Sequence, residues 1–161
     1  MRKKRNQIDL QYLDSISNLK FHKNGAKILR MYTKFFSNFY AEELEHYEGI
    51  VHAPIILRAI AKRQWQNINE NKLSFYLKQT KADIIKNGIG SNLNYIQIET
   101  SLPLETIRRK VNLMIKKGWL FKNGFLIYQT DYWLKKHIPQ AIATSNDMIE
   151  FVESISKLLN K

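Results

Sequence analysis

The 161-residue sequence contains no cysteine. Disulfide bonds, thiolate catalysis and zinc sites with cysteine ligands are therefore excluded. Proline occurs three times and glycine six times, too rarely for a collagen-like or low-complexity chain. Because 44% of the residues are hydrophobic and 25% are charged, the chain can bury a core. We expect one domain, or one domain with an additional helical layer.

Acidic residues are scarce: the chain has 14 Asp and Glu against 26 Lys and Arg, and its formal net charge is +12. Such an excess favours a polyanionic partner, either nucleic acid or a membrane surface. Ile, Lys and Asn together form about a third of the chain, as AT-rich codons would produce, so part of the charge is compositional background. The positions of the charges must therefore decide.

The sequence also lacks a long hydrophobic run. A bilayer span takes ~20 apolar residues, and the longest mostly apolar stretch, 50–61, contains His52 and Arg58. No apolar segment follows the basic residues 1–5, so they do not resemble a signal peptide. We interpret residues 1–25 as a basic tail and lead-in, either solvated or contacting DNA, and expect a cytoplasmic protein with no membrane partner.

Residues 26–86 have helical periodicity and are expected to form a supporting or dimerisation region. After a break at 23–25, a helix is predicted over 26–48 and is followed by helices from Pro54 to about residue 67 and over 73–85. The first helix has two adjacent apolar stripes, wider than one packing surface requires. The stripes are Ile28, Tyr32, Phe35 and Phe39, and Leu29, Phe36, Tyr40 and Tyr47.

A compact succession of local signals begins at residue 87. Turn formers precede a short helix over 93–100, which Asn92 or Asn94 can cap. A tight turn then leads into a helix over 103–117, which Gly118 ends.

A β-hairpin is predicted over 119–128, because two β-rich runs flank Asn123-Gly124. Short helix, turn, longer helix and hairpin follow each other as in a winged helix-turn-helix, whose second helix enters the DNA major groove while the hairpin, or wing, flanks it. We assign residues 87–130 to this unit, within a mostly α fold that has additional N- and C-terminal helices.

Residues 101–111, Ser-Leu-Pro-Leu-Glu-Thr-Ile-Arg-Arg-Lys-Val, resemble the turn and recognition-helix core of bacterial winged-helix transcriptional regulators of the MarR and IclR kind. Residues 114–120 resemble the helix end and wing entry of these families. The resemblance covers about residues 90–130 and implies sequence-specific DNA binding in transcriptional regulation. Two features depart from the pattern: Ser101 replaces the usual turn glycine, and Lys122 is the only charge on a short wing.

The helical wheel of 103–117 separates a predicted buried stripe (Leu104, Ile107, Val111 and Met114) from an outward face. Arg and Asn side chains read guanine and adenine, whereas Lys and Thr commonly bind phosphate. The alternatives are an ordinary solvated helix face, or a winged-helix module that binds RNA or a protein partner. The predicted DNA-binding residues are Asn94, Ser101, Pro103, Glu105, Thr106, Arg108, Arg109, Asn112, Lys116, Lys117, Lys122 and Asn123.

The sequence gives little support for catalysis. Its histidines are scattered, and the six-residue spacing of His46 and His52 is not a metal-ligand pattern. We interpret the acidic residues of 42–48 as a solvated helix end. The aromatic residues of 35–40 are interpreted as core or dimer packing rather than as the lining of a ligand pocket. We expect no enzyme, cofactor or metal site, and the sequence leaves a small-molecule effector open.

Residues 131–161 are predicted to form C-terminal helices. Thr130 or Asp131 caps the first, which ends before Pro139, and the second covers 146–159. Because surplus apolar surface is rarely left in water, we expect the 26–48 and 146–159 helices to form a two-fold symmetric homodimer. In the alternative, the C-terminal helix folds back over the second stripe and the protein is a monomer.

Overall fold

The computed structural model describes residues 21–69 and 72–159. It confirms the predicted mostly helical fold with a short hairpin. Predictions for residues 1–20 lie outside the described residues. In chain order the elements are helices α1 (Phe21–His46), α2 (Ala53–Gln64), α3 (Leu73–Leu77), α4 (Lys81–Asn87), α5 (Leu93–Thr100) and α6 (Leu104–Lys116), strands β1 (Leu120–Asn123) and β2 (Leu126–Gln129), and helix α7 (Asp131–Leu159).

The chain divides into two compact units. The helix-pair unit contains the described residues 21–41 and 144–159, and the central unit contains the described residues of 42–143. Helices α1 and α7 each contribute residues to both units. In the ranges 21–69 and 72–159, no helix is both long and apolar enough to cross a membrane.

One large hydrophobic core holds the central unit together. Trp119 and Trp133 are among its largest buried side chains, and their ring centroids lie 4.6 Å apart. Helix α6 adds Ile107, Val111 and Met114, each at most 1% exposed. Because burying an apolar side chain of this size is worth about 1.5–3 kcal/mol, this stripe determines which face of α6 points outward.

Helix α1 runs through Asn24 and Gly25, so the predicted break at 23–25 is wrong. The Asn24 side-chain amide donates a 2.8 Å hydrogen bond to the Leu158 carbonyl, a contact within the helix-pair unit that stabilises this part of α1. The predicted end near Gly49 is confirmed, because Glu48 and Gly49 both have positive φ angles, 51° and 73°.

Helices α3 and α4 replace the single helix predicted over 73–85. A capping box starts α4: the Thr80 hydroxyl accepts a hydrogen bond from the Asp83 amide, and the Asp83 carboxylate accepts one from the Thr80 amide. The extended backbone of Thr80 interrupts the helix before α4 begins. Periodicity alone did not reveal this local cap.

Helix α7 continues through Pro139, so the predicted division into two C-terminal helices is wrong. Of the two predicted caps, Thr130 rather than Asp131 caps the start of α7, because its hydroxyl accepts a 3.0 Å hydrogen bond from the Trp133 amide. Proline lacks the amide that would bond to the Lys135 carbonyl. Pro139 and Lys135 are both exposed, so water can take the place of the missing donor.

The strands β1 and β2 form an antiparallel hairpin, and each lies one residue later than predicted. The two turn residues are therefore Gly124-Phe125 rather than Asn123-Gly124. Gly124 has a φ of 58°, which fits a type II′ turn with glycine at its first central position. Ser91, just before α5, exchanges two backbone hydrogen bonds with Ile127 and so links the hairpin to the start of α5.

Candidate nucleic-acid interface

Helices α5 and α6 pack against each other and are joined by residues 101–103. Asn92 rather than Asn94 caps α5, because its Oδ1 accepts a 2.8 Å hydrogen bond from the Tyr95 amide. Ser101 ends α5 in the left-handed conformation, with φ 56° and ψ 19°. The glycine-type backbone expected at this turn is thus present, but a serine adopts it.

Replacing Ser101 with glycine is expected to raise the free energy of unfolding by about 0.5–1 kcal/mol. A Cβ costs about 1–2 kcal/mol in the left-handed region, and the larger chain entropy that glycine loses on folding offsets part of that gain. Urea unfolding followed by circular dichroism measures the change. Ser101→Ala keeps the Cβ and is the control, so equal stability of the Gly and Ala variants would contradict backbone strain at this turn.

Helix α2 packs against both α5 and α6. Lys62 forms a 2.7 Å ion pair with Glu99, and the Arg63 guanidinium lies 4.4 Å from the centroid of the Tyr95 ring. The fully buried Ile56 and the other apolar residues of α2 belong to the same core as α6. The shared core and these contacts along α5 therefore fix the position of α5, which supports α6.

Helix α6 carries half of the twelve predicted site residues. Leu104 was predicted to be buried but is 40% exposed, because the first residue of the helix lies beyond the area that the core covers. Thr106 is half-buried, and Leu113 is 37% exposed. The side chains that line one groove along the outward face of α6 are Glu105, Arg108, Arg109, Lys110, Asn112, Leu113 and Lys116.

Ion pairing distinguishes the cations of this face. Arg108 donates two hydrogen bonds of 2.8 Å to the Glu105 carboxylate, and these lower the pKa of Glu105. Arg109, Lys110 and Lys116 have no hydrogen-bond or ion-pair partner for their side chains within 21–69 and 72–159. The available positive charge of α6 therefore lies on these three residues. Lys110 was not among the predicted site residues, although it follows Arg109 directly.

Lys117, which follows α6, forms an ion pair with an acidic residue. The Glu48 carboxylate accepts hydrogen bonds from Lys117 and, at 2.8 Å, from Lys136 at the start of α7. These two donors lower the pKa of Glu48 to about 2. Lys117 and Lys136 are 69 and 88 residues away from Glu48 in sequence, so no local pattern predicted the cluster.

The remaining predicted residues lie around α6. Asn94 on α5, and Ser101 and Pro103 in the turn, are exposed. Lys122 and Asn123 are exposed at the end of β1, and within the described part of the chain Lys122 has no ion-pair partner. The hairpin is short, and its single free cation sits close to its tip.

Two histidines that looked unrelated in sequence meet in the central unit. His46 Nε2 lies 3.1 Å from His137 Nδ1, and the His137 ring stacks on Trp133 at an interplanar angle of 13°. Burial, first of all, lowers the pKa of His137 to about 4, which keeps it neutral at pH 7. No cluster of three or more potential metal ligands occurs among the described residues. Both histidine rings are half-buried and lie against Trp133 at the edge of the core.

No protein-family model, curated protein or solved structure matches this chain. The functional interpretation of α6 therefore depends on its own side chains and their surroundings.

Proposed function

We propose that this protein binds duplex DNA sequence-specifically through a winged helix-turn-helix formed by α5, α6 and the β1–β2 hairpin, and that it acts in transcriptional regulation. The outward face of α6 carries the proposal. There Arg109 and Asn112 are exposed and, among the residues described, have no hydrogen-bond partner. An arginine can donate two hydrogen bonds to guanine, and an asparagine can pair with adenine, in a major groove wide enough for a helix.

The cations around these two residues fit a positioning role. Lys110 and Lys116 flank the reading face on α6, and Lys122 lies on the hairpin. Lysines at the edges of a recognition helix commonly bind phosphate oxygens, which fixes the register of the protein without reading sequence. We therefore assign base reading to Arg109 and Asn112, and phosphate binding to the three lysines.

Comparing Arg109→Ala with Lys122→Ala distinguishes base reading from phosphate binding. Against a site selected from random duplex DNA, this variant is expected to lose about 1–3 kcal/mol of discrimination over a random duplex. Lys122→Ala should weaken binding to both duplexes by similar factors, since a phosphate contact carries no sequence information. Fluorescence anisotropy with labelled duplexes gives both affinities. If the two variants behave alike, the division between a reading helix and a positioning hairpin is wrong.

RNA of the same sequence tests the alternative partner. The deep, narrow major groove of A-form RNA does not admit side chains, so binding to duplex RNA is expected to be weaker and insensitive to Arg109→Ala. Tighter binding to RNA than to DNA, or no binding to any duplex at low salt, would contradict the proposed function.

We also propose that two copies associate through the helix-pair unit. Within it, α7 folds back on the first apolar stripe of α1: the Phe35 and Phe151 rings stack with centroids 4.3 Å apart, and Ile28 is only 6% exposed. In the second stripe, Leu29 is 63% and Tyr40 64% exposed, whereas Phe36 is half-buried, with its ring centroid 6.2 Å from that of Phe151. Tyr47, which the sequence assigned to that stripe, is buried in the core of the central unit.

The C-terminal part of α7 adds to the uncovered apolar surface, with Ile149 56% and Val152 58% exposed. The helix-pair unit has no further layer of structure to cover the outer faces of its two helices. Soluble monomers rarely leave apolar patches of this kind in water. Lys27, Arg30 and Lys34 lie on α1, whereas the acidic Asp147, Glu150 and Glu153 lie on α7. Lys34, Asp147 and Glu150 line one groove within a single copy, so the charges left for a two-fold partner to pair around a shared apolar seam are those of Lys27, Arg30 and Glu153.

Light scattering at micromolar concentration is expected to give about 38 kDa, twice the chain mass of 19.1 kDa. The double variant Leu29→Glu/Val152→Glu places charge in the uncovered surface and should give monomers, because a buried unpaired charge is costly. Gln66→Glu/Asn67→Glu adds the same charge at exposed positions of the central unit and is the control. A mass near 19 kDa for the unmodified protein, unchanged with added DNA, would rule out the dimer.

A further inference from the structure

The cluster formed by Glu48, Lys117 and Lys136 has features that local stability does not explain. Each carboxylate oxygen of Glu48 accepts a hydrogen bond from a different lysine. The Lys117 and Lys136 ammonium groups also lie 5.7 and 5.2 Å from the centroid of the Trp119 ring. Two ammonium groups that converge on one acidic group form an anion-binding arrangement, which here is filled by the protein's own carboxylate.

The backbone conformation of Glu48 is a second unusual feature of the cluster. Its φ of 51° is in the left-handed region, which glycine or asparagine adopts with less steric cost than glutamate. The three side chains keep 31–41% of their surface exposed, and ion pairs at such sites add little net stability because water and salt screen them. Strain held without a matching gain in stability is typical of functional positions.

The cluster also lies where the proposed interface ends. Lys117 directly follows Lys116, the last residue of α6, and its ion pair with Glu48 removes it from the free charge of that face. Lys136 in the second turn of α7 shares the same carboxylate, so two ammonium groups are held by one negative charge. Among the described residues of the proposed interface, the cations without an ion-pair partner are thus Arg109, Lys110 and Lys116 on α6 and Lys122 on the hairpin.

We propose that Glu48 is a positioning residue that acts as an internal substitute for phosphate: it holds Lys117 and Lys136 away from the DNA backbone and so limits sequence-independent binding. The inference rests on the proposed DNA-binding function. With the carboxylate in place, backbone contacts come from Lys110 and Lys116, which flank the reading residues, and from Lys122 of the hairpin. Without the carboxylate, Lys117 and Lys136 are free to bind phosphate at any DNA sequence. The affinity for random DNA therefore rises more than the affinity for the selected site.

Glu48→Gln tests the proposal, since glutamine keeps the size of the side chain and removes its charge. Each additional phosphate that a released lysine binds adds ~0.9 to the salt exponent, so the exponent for a random duplex should grow by ~0.9–1.8 per chain. At 0.1 M salt, random-duplex affinity is expected to rise about 5-fold or more for each such phosphate. The ratio of selected-site to random-duplex affinity should fall.

Glu45→Gln is the matched control. Glu45 is exposed and has no ion pair among the described residues, and its substitution changes the net charge by the same amount. Adding Lys117→Gln to Glu48→Gln should reverse part of the increase in affinity. Thermal unfolding of each variant excludes a folding defect. If Glu48→Gln binds random DNA no better than Glu45→Gln while the unmodified protein binds its selected duplex, the role of Glu48 is refuted and the proposed function stands. If the unmodified protein binds no duplex, both proposals fail.

Discussion

Raising the salt concentration from 50 to 200 mM is expected to weaken duplex DNA binding about 10³-fold. Lys110, Lys116 and Lys122 have no ion-pair partner within the described ranges, and each is assigned to a phosphate. Two copies then make six such contacts, and each contact releases condensed counterions, with a salt exponent of about −0.9 per contact. A single copy with three contacts would lose only about 40-fold over the same range.

A salt titration of binding to the selected duplex, followed by fluorescence anisotropy, measures this exponent. Lys116→Gln should make the slope shallower by ~1.8 in a dimer and by ~0.9 in a monomer. The exponent therefore reports on stoichiometry as well as on the partner. Lys135→Gln is the control, because Lys135 already pairs with Asp131 at 3.2 Å. Binding that does not change with salt would contradict the proposed DNA interface.

Trp133→Ala is expected to lower the free energy of unfolding by about 3–5 kcal/mol, as large-to-small substitutions of buried aromatic residues do. Trp133 is 0% exposed and packs against Trp119, Tyr47 and His137, with centroid distances of 4.6, 5.6 and 5.2 Å. Domains are typically stable by only about 5–15 kcal/mol. The loss is therefore a large fraction of the stability of the central unit and removes the support of α6.

Urea unfolding followed by circular dichroism at pH 7 measures the effect. Tyr132→Ala is the matched control, because Tyr132 is the preceding residue of α7 and is 55% exposed. We expect that control to change the free energy of unfolding by less than about 1 kcal/mol. Similar destabilisation by both substitutions would show that Trp133 is not a central packing residue. DNA binding by the Trp133 variant should be lost in proportion to its unfolded fraction.

The sequence by itself determined the local features of the candidate interface. Sequence signals limited the cap of α5 to Asn92 or Asn94 and that of α7 to Thr130 or Asp131, and the structure selects Asn92 and Thr130. The left-handed turn at Ser101 and the stop at Gly118 likewise depend on residues within a few positions of one another. Helical periodicity likewise identified the buried face of α6, because a 3.6-residue repeat relates neighbouring turns directly. These short-range signals were sufficient for the order of helices and hairpin in 92–129.

Only the tertiary structure decided which charges of that interface are available. Lys116 and Lys117 are neighbours with the same chemistry, yet Lys117 is bound to Glu48 and Lys116 has no partner in the described ranges. The continuity of α7 through Pro139 and the meeting of His46 with His137 were equally invisible in the sequence. The physical reason is distance along the chain: ion pairs, ring stacking and burial join residues tens of positions apart, and no periodic pattern records which of them the fold brings together.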